Sequence, residues 1–367
     1  MRRRPTRRSV LIFGGAGFIG SNWAHHLLTE SDASVHVFDN LSRPGSEHNL
    51  RWHHQEARGT NRLRSTVADV RNRDHVERAV RSATEIYHFA AQVAVTTSLE
   101  DPRTDFEVNA GGTFNILEAA RSMHTRPFLL FTSTNKVYGH MDGLRPLRKF
   151  PIAANPTLVN ESQSLDFYSP YGCSKGTADQ YVHDYARIYG LPTVVFRMSC
   201  IAGPRQFGNE DQGWVAHFAY SAMQDNVISI YGDGTQVRDV LAVGDLVRAF
   251  DAVQQERNRT AGQVFNVGGG PENAVSLLGL IAKLEQATGR RVRHRFYPTR
   301  PGDQHVYITD FSKLREHVQW SPNISLDQIV AMICKWWLDN RSLLEPTMQP
   351  ISTARPHPLE ILPEVAS

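Results

Sequence analysis

Tyr171 and Lys175 stand four residues apart in SPYGCSK, at the start of a helical stretch, so a helix puts both on one face. A phenol with the ordinary pKa of about 10 is a poor base at neutral pH. An ammonium close by, together with a positively charged nicotinamide ring, would stabilise the phenolate. Such a phenolate can take the proton of a secondary alcohol while hydride leaves the same carbon. A further hydroxyl should hold the substrate oxygen. Thr134, just past the run Phe128–Thr132, is placed for that. Alone, Tyr-x3-Lys recurs on ordinary helix surfaces, so the reading needs a hydride acceptor nearby.

The acceptor's site is written at the other end of the chain. Gly14, Gly17 and Gly20 in GGAGFIG follow an apolar run and open a helical pattern. Glycines there allow a tight turn and let backbone approach a pyrophosphate at the helix N-terminus. Asp39 ends the next strand-like run, Val35–Phe38, where a carboxylate can bond ribose hydroxyls and repel a 2′-phosphate. The pattern therefore predicts a dinucleotide, NAD rather than NADP. Asp69 and Val70 after the third strand, and Ala90 and Ala91 after the fourth, should line the same groove.

The elements that must position these residues alternate. Val10–Phe13, Val35–Phe38, Ile86–Phe89, Phe128–Thr132 and Val194–Arg197 read as strands, with helices such as Asp105–Arg121 and Tyr171–Tyr189 between them. That alternation predicts an α/β fold, a doubly wound parallel sheet of Rossmann type, with a smaller C-terminal substrate lobe. We expect a basic tail over 1–8, the NAD-binding domain over 9–197 with 240–268 returning to it, the lobe from 198–239 and 269–344, and a mobile tail over 345–367. Residues 198–240 read as loops around one helix near Trp214–Gln224. Val264–Val267 reads as a late strand, and Val292–Phe296 as a strand between helices 275–289 and 325–341.

Composition excludes other classes. The chain has 367 residues and a net charge of +3, and Arg2, Arg3, Arg4, Arg7 and Arg8 alone exceed that surplus, so no nucleic-acid surface is expected. No apolar run nears the ~20 residues of a membrane span. Cys173, Cys200 and Cys334 are odd in number and widely spaced, which favours a reducing, cytoplasmic setting and no metal site. His88, His140 and His217 are scattered and read as packed or solvated. Trp336-Trp337 reads as packing.

With these residues placed, the chain resembles the extended short-chain dehydrogenase/reductases that epimerise or dehydrate nucleotide sugars. The resemblance covers roughly 9–342 and rests on GGAGFIGSN, FDN, HFAAQ, VNAGGT, TSTNKVYG, SPYGCSK, GPRQ, VRDVL and RPGD. Within that family it is most similar to the CDP-paratose 2-epimerase subgroup, through STNKVYG, LDFYSPYGCSKGTADQY and RQFGNEDQGWV. The resemblance implies Thr134, Tyr171 and Lys175 as the catalytic trio. It extends the NAD cleft over Phe18, Ile19, Asn40, Ser42, Gln92 and Asn109. It puts Arg238 and Arg300 on the nucleotide diphosphate, and Asn135, Cys200, Gln206, Trp214 and Asp303 around the nucleotide sugar. It implies oxidation at sugar C2, rotation of the keto sugar and reduction on its other face. It also implies a homodimer, with Asp105–Arg121 and Tyr171–Tyr189 packing as a four-helix interface.

Two departures bear on the reaction. Dehydratases of the family carry an acidic pair after the hydroxyl residue, and decarboxylases keep a glutamate there; Asn135 and Lys136 stand instead, which disfavours both reactions. In Met198-Ser199-Cys200-Ile201-Ala202-Gly203, Cys200 and Ala202 replace a polar residue and a tyrosine, leaving the exact sugar open. An apolar neighbourhood makes Cys200 an inert thiol. Epimerisation of a UDP-sugar at C4 and a non-catalytic NAD-binding scaffold are the alternatives.

Overall fold

A computed structural model describes residues 8–141, 157–300 and 302–344. The tails expected over 1–7 and 345–367 lie outside those residues. Arg8, read as tail, is part of the fold: its guanidinium forks onto Glu85 at 2.8 and 2.9 Å.

The first strands are β1 (Ser9–Phe13), β2 (Ser34–Asp39), β3 (Leu63–Val67), β4 (Glu85–His88), β5 (Phe128–Thr134) and β6 (Thr193–Met198). Then come β7 (Cys200–Ala202), β8 (Ile228–Tyr231), β9 (Val237–Ala242), β10 (Gln263–Val267), β11 (Ala274–Ser276), β12 (His294–Tyr297) and β13 (Val306–Tyr307). The main sheet has seven strands in the order β10-β6-β5-β4-β1-β2-β3, and every pairing in it is parallel. Both faces are covered, which is why these strands read as continuous apolar runs. Val10, Ile12 and Leu130 face one core cluster, and Leu11, Phe13, Leu129 and Phe131 the other. β2 and β4 leave β1 on opposite sides, so a crevice opens beyond the carboxyl ends of β1 and β4.

The second core lies in the lobe, where helix Trp214–Met223 packs on helices Leu277–Thr288 and Leu326–Asp339. Trp336 and Trp337 are buried in it, as their reading as packing expected. β9 is the lobe's central strand, flanked by β11 and β13 and paired near its end with β7. Residues 198–240 are thus not merely loops around a helix: β7, β8 and much of β9 fall there, β7 and β8 being too short for a period to establish itself and β9 being buried on both sides. The strand expected over Val292–Phe296 is β12, shifted two residues at its start and paired in parallel with β8.

The single helix expected over Asp105–Arg121 is broken. Pro102–Phe106 is α-helical, Glu107–Gly111 is a π-turn, and Gly112–Arg121 resumes the α-helix. The π-turn holds Asn109, whose amide nitrogen has two hydrogens to share among Asp105 Oδ1 at 3.1 Å, Ser174 Oγ at 3.0 Å and Gln92 O at 3.0 Å. A one-residue bulge of this kind lets a side chain reach partners a regular helix would deny it. No helix among the described residues is long and apolar enough to cross a membrane.

Candidate active site

The glycine turn leaves β1 as its spacing implied. Gly14 has φ +77°, and a Cβ there would lie 2.6 Å from Ala90 N. A Cβ on Gly20 would lie 2.1 Å from Gly14 O, so the helix Phe18–Glu30 can start against the turn only without one. A Cβ on Gly17 would meet only Gly14 O, at 3.2 Å; its other side is open to the crevice. Asp39 closes one end of the cleft: its Oδ2 accepts from Ala16 N at 3.0 Å and its Oδ1 from Leu41 N at 2.8 Å. Burial pushes its carboxyl up, against those backbone donors.

The cleft holds about 430 Å³ and is lined by Gly14, Gly17, Phe18, Ile19, Gly20, Asp39, Asn40, Ser42, Asp69, Val70, Ala90, Ala91 and Gln92. Of the residues expected at the cofactor, Asn109, Tyr171 and Lys175 are not part of that wall: Tyr171 lines a neighbouring cavity, Lys175 lines neither, and Asn109 accepts from Gln92 N at 2.9 Å. A slot with a bare helix N-terminus at its centre and a pinned carboxylate at its end fits a dinucleotide. Arg43 and Arg205 line it too, and the sequence reading missed both. Arg43 lies just after the FDN motif; Arg205 has φ +68° and rests its guanidinium 3.4 Å over the Trp52 ring.

A second cavity, about 390 Å³, joins the first along Phe18, Ile19, Val93, Gln206 and Gln212. Thr134, Tyr171 and all the residues expected around the substrate line it: Asn135, Cys200, Gln206, Trp214, Arg238, Arg300 and Asp303. Thr134 is the last residue of β5 rather than just past it. Its hydroxyl donates to Asn135 Oδ1 at 3.3 Å, and Asn135 in turn donates to Gln304 Oε1 at 3.0 Å. Gln304, buried and unmarked in the sequence reading, also donates to Gly139 O at 2.7 Å. It ties the lobe to the turn that carries Thr134.

Tyr171 lies beside Thr134, whose hydroxyl favours the phenolate. In the chain alone burial pushes its phenol up to about 12, Thr134 and Arg43 pulling it back and Asp105 pushing it further. Lys175 lies behind it, 3% exposed, with Nζ 4.2 Å from the centre of the Phe131 ring and donating to Thr132 O at 2.6 Å. Burial brings its ammonium down to about 7, and Asp179 and Asp105 hold it up. Asp179 is itself forked by Arg197 at 2.8 and 2.9 Å.

At the pocket's far end the Arg300 guanidinium sits 3.5 Å over the Tyr231 ring, and its Nε is buried with no partner among the described residues. Its other nitrogens reach Glu210 O at 3.3 Å and Glu210 Oε1 at 3.4 Å, with Asp211 Oδ1 at 3.7 Å, so an anion bound there would replace two carboxylates as this cation's partner. Arg238 lines the wall differently: its donors end on Val237 O at 2.8 Å, on Gln304 O and on Asp303 Oδ1 at 3.0 Å. It holds the 303–304 segment in place. Cys200 accepts from Trp214 Nε1 at 3.3 Å, and burial pushes its thiol up, away from a nucleophilic thiolate. His88 is packed against Thr113, His140 lies on the Tyr168 ring, and burial pulls His217 down. No metal-binding group of three or more acidic, histidine or cysteine residues occurs among the described residues.

Comparison with known proteins bears on this geometry. The family model described as GDP-mannose 4,6 dehydratase matches residues 11–333. A CDP-paratose 2-epimerase of Salmonella typhi is 40% identical over 337 residues, 89% of this chain and 98% of that one. A crystal structure of a UDP-glucuronic acid 4-epimerase from Bacillus cereus, in complex with UDP-glucuronic acid and NAD, superposes with a TM-score of 0.79 at 27% identity, covering 90% of this chain and 99% of that one. A dTDP-glucose 4,6-dehydratase from Streptomyces venezuelae, with NAD bound, superposes with a TM-score of 0.80 at 27% identity over 92% and 99%.

Proposed function

This chain belongs to the GDP-mannose 4,6 dehydratase family of extended short-chain dehydrogenase/reductases, and from that premise we propose that it is an NAD-dependent epimerase acting at C2 of a CDP-deoxyhexose. The observation that carries the chemistry is the Thr134–Tyr171 hydroxyl pair, opening into the second cavity, which shares a wall with the first. The choice of sugar rests on the 40% identity with a CDP-paratose 2-epimerase.

Gly14, Gly17, Gly20 and Asp39 would hold the dinucleotide. Bound there, NAD supplies a hydride acceptor that returns the hydride to the sugar. Tyr171 takes the proton of the sugar hydroxyl and gives it back; Thr134, held by Asn135, fixes that oxygen. Lys175 keeps a positive charge behind the phenol, so the phenolate is not formed next to a bare apolar wall. Arg300 takes the diphosphate and so tethers the sugar while its ring turns. The pair Asn135 and Lys136 offers no carboxylic acid to a departing hydroxyl, so elimination of water is not supported.

Incubation of the purified protein and NAD with CDP-paratose should give the C2-inverted CDP-sugar, identified by NMR. No inverted product would sink the reading. A second reading, epimerisation of a UDP-sugar at C4, has the fold similarity to the Bacillus cereus enzyme in its favour; inversion of UDP-glucose but not CDP-paratose would establish it.

We further propose a homodimer. Phe106 is 57% exposed, Phe114 46%, Tyr181 47% and Ile188 65%, all on the helices of the proposed interface. Apolar side chains clustered so densely on one face call for a partner surface. Light scattering should give twice the chain mass, and Phe114→Asp with Tyr181→Asp should halve it. A monomeric mass for the unaltered chain would remove the proposal.

A further inference from the structure

Lys136 has no part in the chemistry so far, yet it stands two residues from Thr134 and lines the same pocket. Its side chain is 19% exposed. Its Nζ donates to Gly302 O at 3.1 Å and lies 3.9 Å from Asp303 Oδ1, an ion-pair contact too long for a hydrogen bond. An ammonium has three N–H donors. Among the described residues only one of them is used. Around it stand Cys200, a thiol already contacted by Trp214, and Arg238, a second cation, with the Asp303 carboxylate on one side. Burial and Arg238 bring the ammonium down to about 8, with Asp303 holding it up. At neutral pH it stays charged, and apart from the Asp303 carboxylate its spare donors have the cavity it lines to serve.

The geometry of binding supplies the need. Thr134 and Tyr171 hold the sugar at one oxygen, and Arg300 at the diphosphate. Two points leave a pyranose free to swing about the line between them, and that swing decides which carbon meets the hydride acceptor. A third contact restricts that swing to the two productive poses.

We propose that Lys136 is a specificity-determining residue of the sugar site, its ammonium donating to a sugar oxygen other than the one held by Thr134 and Tyr171. The proposal rests on the nucleotide-sugar reading and deepens it. The four-carbon stem of lysine lets one donor follow the ring through both of its poses. Gly302 O and Asp303 brace it from the far side, so the turn that delivers the first contact also delivers the third, held in place by the lobe.

The test is a pair of affinities, measured calorimetrically with NAD present in a Tyr171→Phe background, so that no turnover intervenes. Lys136→Met should leave the affinity for CDP within about twofold and weaken CDP-paratose by roughly 10-fold or more, the range of one hydrogen bond from a charged donor. If Lys136→Met does not fold, Lys136→Gln keeps a polar end and should show the same split. Equal affinity for CDP-paratose with and without the lysine overturns the proposal. So does an equal loss for CDP, which would put the ammonium on the phosphates. If protein with Lys136 intact binds CDP-paratose no tighter than CDP, the sugar reading itself fails and this proposal falls with it.

Discussion

Tyr171→Phe is expected to lower kcat by about 10³-fold or more, at the upper end of what one positioned acid–base group contributes, while the protein still folds and still binds NAD. The ring is 8% exposed and packs at the start of helix Ser169–Tyr189, and phenylalanine keeps that packing. Only the oxygen goes. Asn135 Oδ1 still accepts the threonine hydroxyl, so that contact is kept. The effect is large because nothing nearby can replace it. Lys175 is turned to Thr132 O and the Phe131 ring, and Thr134 is an alcohol with no base of its own. The phenol's high pKa in the chain alone, about 12, says what the bound cofactor must add. A positive ring beside the oxygen would favour its ionised form, and the buried Lys175 ammonium would add to it. Steady-state turnover of the variant within tenfold of the parent would remove Tyr171 as the base.

Gly20→Ala should be nearly as damaging, through a different cause. Its added methyl would sit 2.1 Å from Gly14 O and 2.7 Å from Gly15 Cα, both backbone atoms that no side-chain rotation can clear. Either the helix Phe18–Glu30 withdraws from the turn or the turn opens, and in both cases the amides meant for a pyrophosphate lose their aim. We expect NAD affinity to fall by about 100-fold, as a geometric error of about 1 Å can cost, and stability to fall by about 1–3 kcal/mol, as for overpacking. Gly244→Ala is the control: its Cβ would meet only Ile324 Cδ1 at 3.6 Å, ordinary contact, and both quantities should hold. Unchanged NAD binding in Gly20→Ala would mean the turn is not the cofactor's seat.

What could be read from the chain alone follows from how local each requirement is. The Gly14–Gly20 turn, Asp39 at the end of β2 and the Tyr171–Lys175 spacing are each set within a few residues, by backbone approach or by helix pitch. The parallel sheet was legible because its strands are buried on both faces. The lobe was not: β7 is a strand because it pairs with β9, and β8 because it pairs with the distant β12. The π-turn at Glu107–Gly111 was invisible because Asn109 earns its place through Gln92 and Ser174, which are distant in sequence. Lys136 with Gly302, and Asn135 with Gln304, meet across more than 160 residues. Only the folded chain shows that the lobe braces the turn bearing Thr134. The lysine, read at first only as an acid that is missing, proves to be a buried cation with donors to spare.

The central claim is that one hydride leaves and returns at the same sugar carbon. CDP-paratose carrying deuterium at C2, incubated with the protein and NAD in ordinary water, tests it directly. The account predicts a C2-inverted sugar that keeps its deuterium at C2, with none lost to solvent. Inversion with the label washed out into water, or a label left in place while C4 inverts, would contradict it.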